Sequence, residues 1–374
     1  MFINFWYPVC WSKDLEDTPK KVRILGQDLV AFRDTKGAAH CLSNTCTHRG
    51  GSLGDGKMRG DCVQCPYHGW EFNGDGHVTR IPSLGKDAKI PSRTRIDAYP
   101  VEERYGIVFA FLGDLPEEER PPIMPIPTWE KEGWRPTYID YETPINYERS
   151  IENGLDPAHN EFVHNTHGFG GEDSEYKVNA LRMVDEDYEW GFGFFSTFNS
   201  PDLKEKNTVM AEHKQAKSDR EAGSGNTGPT HLWTIIRFSE TAEFGQYMYE
   251  APIDEENTRV FLINMRSMAL EPEKDEDITT RNWYVVKQDL DVLDDLRPVI
   301  TPDVNTKEFM VPADQVILMY REMTKDWEAR GWKIDVDEVR RTEKKVAYAI
   351  PSPGRREQKG WVLDSIPLLP AGND

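Results

Sequence analysis

The chain is predicted to be an α+β protein of two domains: an amino-terminal all-β domain, then an α+β domain built on an antiparallel sheet. The first third alternates apolar and polar residues in short runs punctuated by glycine turns. Residues 116–127 shift to a charged, proline-rich composition, and the remainder interleaves strand-like runs with two stretches of helical spacing.

Residues 21–26 and 29–33 alternate in the manner of half-buried strands, and Gly50-Gly51, Gly54-Asp55-Gly56 and Asn73-Gly74-Asp75-Gly76 mark turns. Residues 104–113 read as one strong apolar strand. The run from Pro116 to Pro127 suits an extended connector, which places the domains at 1–115 and 128–374 with 116–127 between them. Beyond it, residues 231–238, 244–250 and 258–266 read as successive strands of an antiparallel meander with a pocket beneath, and 252–258 as a turn. Residues 201–229 are polar and rich in Lys, Ser and Gly. They are expected to form a loop, of which a substrate lid is the sharper reading. Residues 282–296 and 313–330 have helical spacing.

Composition fits a large globular protein: 374 residues, 38% hydrophobic, with 28 glycines. The net charge of −20 argues against nucleic acid, whose phosphates need a basic surface. It reads more simply as an acidic, solvated surface. With no apolar run long enough to span a bilayer and no charged-then-apolar leader, the chain is expected to be cytoplasmic, away from membranes. Five cysteines are present. Cys10, Cys41 and Cys62 remain once two are assigned below, an odd number that suggests no disulfide framework and a reducing compartment; each reads as a buried apolar side chain.

Two constellations carry chemistry. Cys46-Thr47-His48 and, after 16 residues, Cys65-Pro66-Tyr67-His68 supply two thiolates and two imidazoles in two short loops. That set suits a [2Fe–2S] centre with both thiolates on one iron and both imidazoles on the other, a Rieske signature. A tetrahedral zinc site uses the same ligand types, but zinc motifs more often pair Cys with Cys and His with His. Further on, Asn153-Gly154-Leu155-Asp156-Pro157-Ala158-His159 and then His164 place two imidazoles and a carboxylate in one stretch. Non-haem Fe(II) is held by two His and one carboxylate on one face, with the remaining positions open. On a regular helix His159 and His164 would stand roughly 140° apart, so they share a metal only where the helix is widened or ends. Taken alone, such a pair is as readily two ordinary histidines.

These residues resemble the catalytic α subunit of Rieske non-haem iron oxygenases, the ring-hydroxylating and demethylating family, from Trp6-Tyr7-Pro8 through to the helical carboxyl-terminal region. The resemblance implies an all-β Rieske domain and a helix-grip, START-like catalytic domain. It makes Cys46, His48, Cys65 and His68 the cluster ligands, and His159 and His164 ligands of the catalytic Fe(II). The family's late helix has an acidic or amide residue before its ligand Asp and a Leu four residues after, which selects Asp289, between Gln288 and Leu293. Many members carry Gln seven residues after the ligand where this chain has Leu296, so Asp291 and Asp294 stay as alternatives. Asp156, with Asn153 nearby, takes the family's bridging position, expected to hydrogen-bond His68 of a neighbouring subunit and His159 of its own; a helix N-cap before Pro157 is the plainer reading. The family also implies O2, a homotrimer, and electrons from NAD(P)H through a ferredoxin or flavin reductase. Its substrate is expected to be small, hydrophobic and aromatic, hydroxylated by mono- or dioxygenation, with O- or N-demethylation as the alternative and an electron carrier as a rival class. Phe192, Phe194, Trp233 and Phe238 are candidate pocket walls, though alternating aromatics also build ordinary cores. No basic residue can be assigned to a carboxylate clamp from the sequence.

Overall fold

The computed structural model describes residues 1–165, 170–186, 188–199 and 219–372. The chain divides into two compact units: Met1–Pro122 with Ala251–Asp254 and Asp326–Asp374, and Ile123–Glu250 with Glu255–Lys325.

The first unit holds four small sheets, the smallest pairing Tyr348–Ala349 with Asp364–Ser365. One joins β1 (Phe5–Trp11) to a later hairpin; a second runs β2 (Lys20–Ile24), β3 (Gln27–Arg33), β4 (Ala39–Ser43), β9 (Ala98–Tyr99); a third runs β5 (Lys57–Arg59), β6 (Cys62–Gln64), β7 (Glu71–Phe72), β8 (Val78–Arg80). The stretch read as one strand over 104–113 is instead a hairpin, β10 (Val101–Arg104) and β11 (Ile107–Leu112), with Arg104 opposite Ile107. Between them Tyr105 and Gly106 both take positive φ, 56° and 78°, the conformation of a two-residue turn whose twist matches the strands. All of β11 is buried. Residues 326–374 pack in this unit although they follow the second unit in sequence. Asp97, wholly buried, accepts two bonds of 2.7 Å from Arg355 and bonds from the Ser352 N–H and hydroxyl, so its charge is fully partnered.

The second unit is one seven-stranded sheet, ordered β12 (Arg135–Thr143), β18 (Thr258–Arg266), β17 (Glu243–Pro252), β16 (His231–Arg237), β15 (Asp219–Thr227), β14 (Gly191–Asn199), β13 (Arg182–Val184). Strands β13 to β18 follow one another as a meander, and β12 closes onto β18. Across one face lie α1 (Tyr147–Leu155), the single-turn α2 (Asn160–Val163) and α3 (Asp275–Leu293), followed in sequence by α4 (Gln315–Ala329). The long helix begins at Asp275, whose carboxylate takes bonds of 2.8 and 2.6 Å from Arg135 of β12 and a further one from Arg266 of β18. Those bonds, Arg135's first, bring its pKa down to about 2.

Residues 219–227 correct the loop reading: they are β15, paired along its length with β14 and β16. The sequence Asp-Arg-Glu-Ala-Gly-Ser-Gly-Asn-Thr lacks apolar alternation because two of its positions must be empty. A Cβ on Gly225 would stand 2.4 Å from the Trp233 ring and from the Phe192 carbonyl, and one on Gly223 would meet the Phe194 carbonyl and the Phe195 ring. The lid reading of 201–218 falls outside the described residues. Among the described residues no helix is long and apolar enough to cross a membrane.

Glu250 on β17 is fully buried, takes a 2.7 Å bond from the Ser150 hydroxyl of α1, and burial pushes its pKa up to about 8. The folded state therefore keeps the proton to higher pH than the unfolded chain. Stability is lost as pH rises from the ordinary glutamate value to about 8, and is level above it. Glu250→Gln should match the parent's melting temperature near pH 5 and exceed it by a margin that widens towards pH 8; a constant margin would contradict the assignment.

Candidate metal centres

In the first unit the two motif loops repeat one geometry. The Cys46 carbonyl accepts from Gly50 N–H at 2.9 Å and the Cys65 carbonyl from Gly69 N–H at 3.0 Å; the Cys46 N–H donates to Gly51 O and the Cys65 N–H to Trp70 O. Gly50 and Gly69 both have φ of +72°, which makes this turn available at both places. Both cysteines are free and 2% exposed. A Cβ on Gly51 would stand 2.7 Å from the Cys65 sulfur, so the glycine leaves open a space at the thiols. Burial pushes the Cys46 thiol up to about 12, opposed by the backbone N–H groups of His48 and Arg49, which bond its sulfur, while Cys65 adds to the rise. The imidazoles lie outside: His48 and His68 are exposed, with ring centroids 4.4 Å apart. His48 stacks on Trp70 at 4.6 Å, and Tyr67, 55% exposed, lies 3.9 Å from the His68 ring. Desolvation, then His48 and Arg49, lower the His68 pKa and favour the neutral ring that binds metal. A pair of buried thiols beside a pair of exposed imidazoles fits a cluster whose two irons take different ligands.

In the second unit α1 delivers the other motif. Asn146 caps it, accepting from the Glu148 and Arg149 N–H groups. The helix lies so near β16 that a Cβ on Gly154 would come within 2.0 Å of Leu232. It ends at Leu155. His159 and His164 then flank the single turn α2 as its two caps, so the helix ends where their spacing required it to. Their Nε2 atoms are 3.2 Å apart, and Asp289 Oδ1 of α3 is 3.5 Å from His159 Nε2 and 3.4 Å from His164 Nε2. Neighbouring ligands on a metal with bonds of about 2.1 Å stand about 3 Å apart, so the three donors fit one ion without rearrangement. Asp291 bonds Lys287 on the exposed side of the helix.

Each donor is held from behind. Asn153 Nδ2 donates to Asp289 Oδ1 at 3.1 Å. His159 Nδ1 bonds the backbone carbonyl of Asp156 at 2.6 Å, while the Asp156 carboxylate accepts from Ala158 N–H at 2.7 Å. Within the chain, then, Asp156 orients His159 through its backbone rather than its side chain. Burial raises the Asp156 carboxyl, against the pull of that N–H and of His159. His164 is 4% exposed; burial lowers its pKa while Asp289 acts to raise it. Its Nδ1 faces Gln288 Oε1 at 3.3 Å, and Gln288 in turn donates to Asn165 Oδ1. The role of Gln288 was not read from the sequence, although an amide directly before the ligand Asp was its signal.

The triad opens into a cavity of about 410 Å³, within the range of small-molecule sites. Phe194 and Phe198 of β14, Ile236 of β16, Phe238, and Val285 and Leu290 of α3 form apolar wall. Of the four aromatic residues picked from sequence, Phe194 and Phe238 line it. Phe192, on the same face as Phe194, packs instead in the core with Ile151 and Leu155. Trp233 points to the other face, over Gly193 and Gly225, because Thr234 and Ile236 take the cavity side of β16.

Residues 5–100 match the Rieske [2Fe-2S] domain, and residues 144–330 the vanillate O-demethylase oxygenase C-terminal domain. The chain is 37% identical over 174 residues, 46% of its length and 36% of the relative's, to the tert-butanol monooxygenase / tert-amyl alcohol desaturase oxygenase subunit of Aquincola tertiaricarbonis. To the 5,5'-dehydrodivanillate O-demethylase oxygenase subunit of Sphingobium sp. (strain NBRC 103272 / SYK-6) it is 31% identical over 261 residues, 68% of this chain and 55% of that protein. The chain thus spans less than two thirds of either relative. Among solved structures, Pseudomonas putida CBB5 NdmA with caffeine superposes with a TM-score of 0.74 at 24% identity, covering 87% of this chain and 91% of that one, a likeness of fold. A Rieske domain followed by this oxygenase domain means that the chain belongs to the Rieske non-haem iron oxygenase family, whose cofactors are a [2Fe–2S] cluster and a mononuclear non-haem iron.

Proposed function

We propose that the chain is a terminal oxygenase that uses O2 to hydroxylate a small aromatic molecule. The observation that carries this reading is the convergence of His159, His164 and Asp289 on the wall of a phenylalanine-lined cavity. When bound, the cluster supplies single electrons and the iron a site for O2 beside the substrate. Cys46, His48, Cys65 and His68 hold the cluster, and His159, His164 and Asp289 the iron. Asn153 fixes the Asp289 carboxylate, and Gln288 and the Asp156 carbonyl fix the two imidazoles, which sets ring orientation and ligand basicity. Phe194, Phe198 and Phe238 pack the ring and exclude water.

O-demethylation is the second reading, favoured by the family model over 144–330 and by the dehydrodivanillate O-demethylase relative. The proposal keeps the functional partition at 1–115, 116–127 and 128–374, a cytoplasmic homotrimer, and NAD(P)H electrons entering through a ferredoxin or flavin reductase. It also assigns the Asp156 carboxylate as a bridge to His68 of a neighbouring subunit.

Incubation with a generic reductase, isotopically labelled O2 and a panel of aromatic compounds should give products that have gained one or two labelled oxygen atoms, or lost a methyl group with formaldehyde released. Products with neither labelled oxygen nor loss of a methyl group as formaldehyde, or no product across the panel, would contradict the reading. Gln288→Leu and Asn153→Ala should each weaken iron retention by about 10- to 100-fold while leaving the visible spectrum of the cluster unchanged; unaltered iron affinity would remove both residues from the site. Mixing Cys65→Ala chains with His159→Ala chains should restore part of the activity, because some cluster and iron pairs then lie intact across subunits. No recovery in mixed oligomers verified by mass would exclude the bridge.

A further inference from the structure

Along β15 the residues facing the cavity are Arg220, Ala222 and Ser224, spaced by two as a strand requires. Glu221 points the other way and pairs with Arg182 and Arg237, so that carboxylate is unavailable to Arg220. Arg220 is 6% exposed, and its Nε and Nη2 atoms have no hydrogen-bond partner among the described residues. Burial lowers its pKa. Its guanidinium lies 5.5 Å from the centre of the Phe238 ring, and Phe198 is opposite it in register. The stacking offsets a little of the desolvation cost and holds the plane of the fork. A buried guanidinium with idle donors is costly to the folded protein unless something binds it. The geometry of those donors matches a carboxylate, and the walls beside them match an aromatic ring.

We propose that Arg220 binds the carboxylate of an aromatic acid substrate, whose ring lies among Phe194, Phe198 and Phe238 and extends towards the triad. This rests on the oxygenase reading and narrows its substrate class. Arg220 acts here as a specificity-determining residue.

The test measures calorimetric affinity of the iron-loaded full chain for a panel of one- and two-ring methoxylated benzoates, each against its carboxamide. In the parent protein at least one acid should bind about 10- to 100-fold more tightly than its amide, the range expected of a charge-assisted bidentate pair. Arg220→Met should erase that preference while keeping amide affinity, and Arg220→Lys should retain part of it, since an ammonium keeps the charge and loses the fork. Without ligand, Arg220→Met should melt at the parent's temperature or above, because an unsatisfied buried charge has been removed. If no acid outbinds its amide, or if Arg220→Met loses both ligands and melts lower, the side chain is structural and the proposal fails. The two readings separate: Arg220-dependent acid binding with neither labelled oxygen in a product nor formaldehyde released upholds the clamp and sinks the oxygenase, whereas oxygenated or demethylated product from neutral aromatics with no acid preference does the reverse.

Discussion

The Asp289 carboxylate is the junction on which the second unit's geometry turns. One oxygen lies within 3.5 Å of both triad imidazoles and accepts the Asn153 amide, so α1 and the turn that follows it meet, at one atom, a helix more than a hundred residues later. Such a meeting needs the long helix to be fixed along its axis. Its first residue, Asp275, is clamped by Arg135 and Arg266 from neighbouring strands of the sheet, roughly 21 Å from Asp289 at 1.5 Å per residue. A rotation of one residue would turn Asp289 away by about 100° and present a neighbour instead. Asp291, the nearest alternative ligand, is on the outer side paired with Lys287.

The two centres solve opposite problems. In the first unit the thiols are buried and the imidazoles exposed, which leaves one end of the candidate cluster site at the surface. In the second, His164 is nearly sealed and the three candidate donors face a largely apolar cavity. Hydrogen bonds behind each donor set the second site's geometry before any ion arrives. The helix break between Leu155 and His164 is part of this: it lets two histidines five residues apart face each other.

The candidate cluster ligands and the histidine pair were legible in the sequence because their signals are local. Spacing within loops reads directly as Cys46, His48, Cys65 and His68, and the pair His159 and His164 falls in one short stretch. Asp289 is remote from that pair and came into view through the family's helix register. The meander was legible in residues 231–266, where apolar alternation is strong. Strand β15 was not, since its fit depends on missing side chains: Gly223 and Gly225 make room for Phe195 and Trp233 contributed by neighbours, a tertiary demand with no local pattern. Arg220 was hidden for the same reason, lying in a segment that reads as polar loop. The facing of Trp233 was a question of strand parity, which composition cannot answer. The hairpin within 101–112 was missed because Tyr105 carries a positive φ that its residue type rarely signals.

The central claim is that this one chain holds a two-iron cluster and a separate single iron through distinct residues. The most direct measurement is quantitation of iron and acid-labile sulfide in anaerobically reconstituted protein, beside Asp289→Ala. The assignment predicts about three irons and about two sulfides per chain, falling to about two irons with sulfide and the visible spectrum unchanged in the variant. Full iron in Asp289→Ala, or stoichiometric zinc in a colourless parent protein, would contradict it.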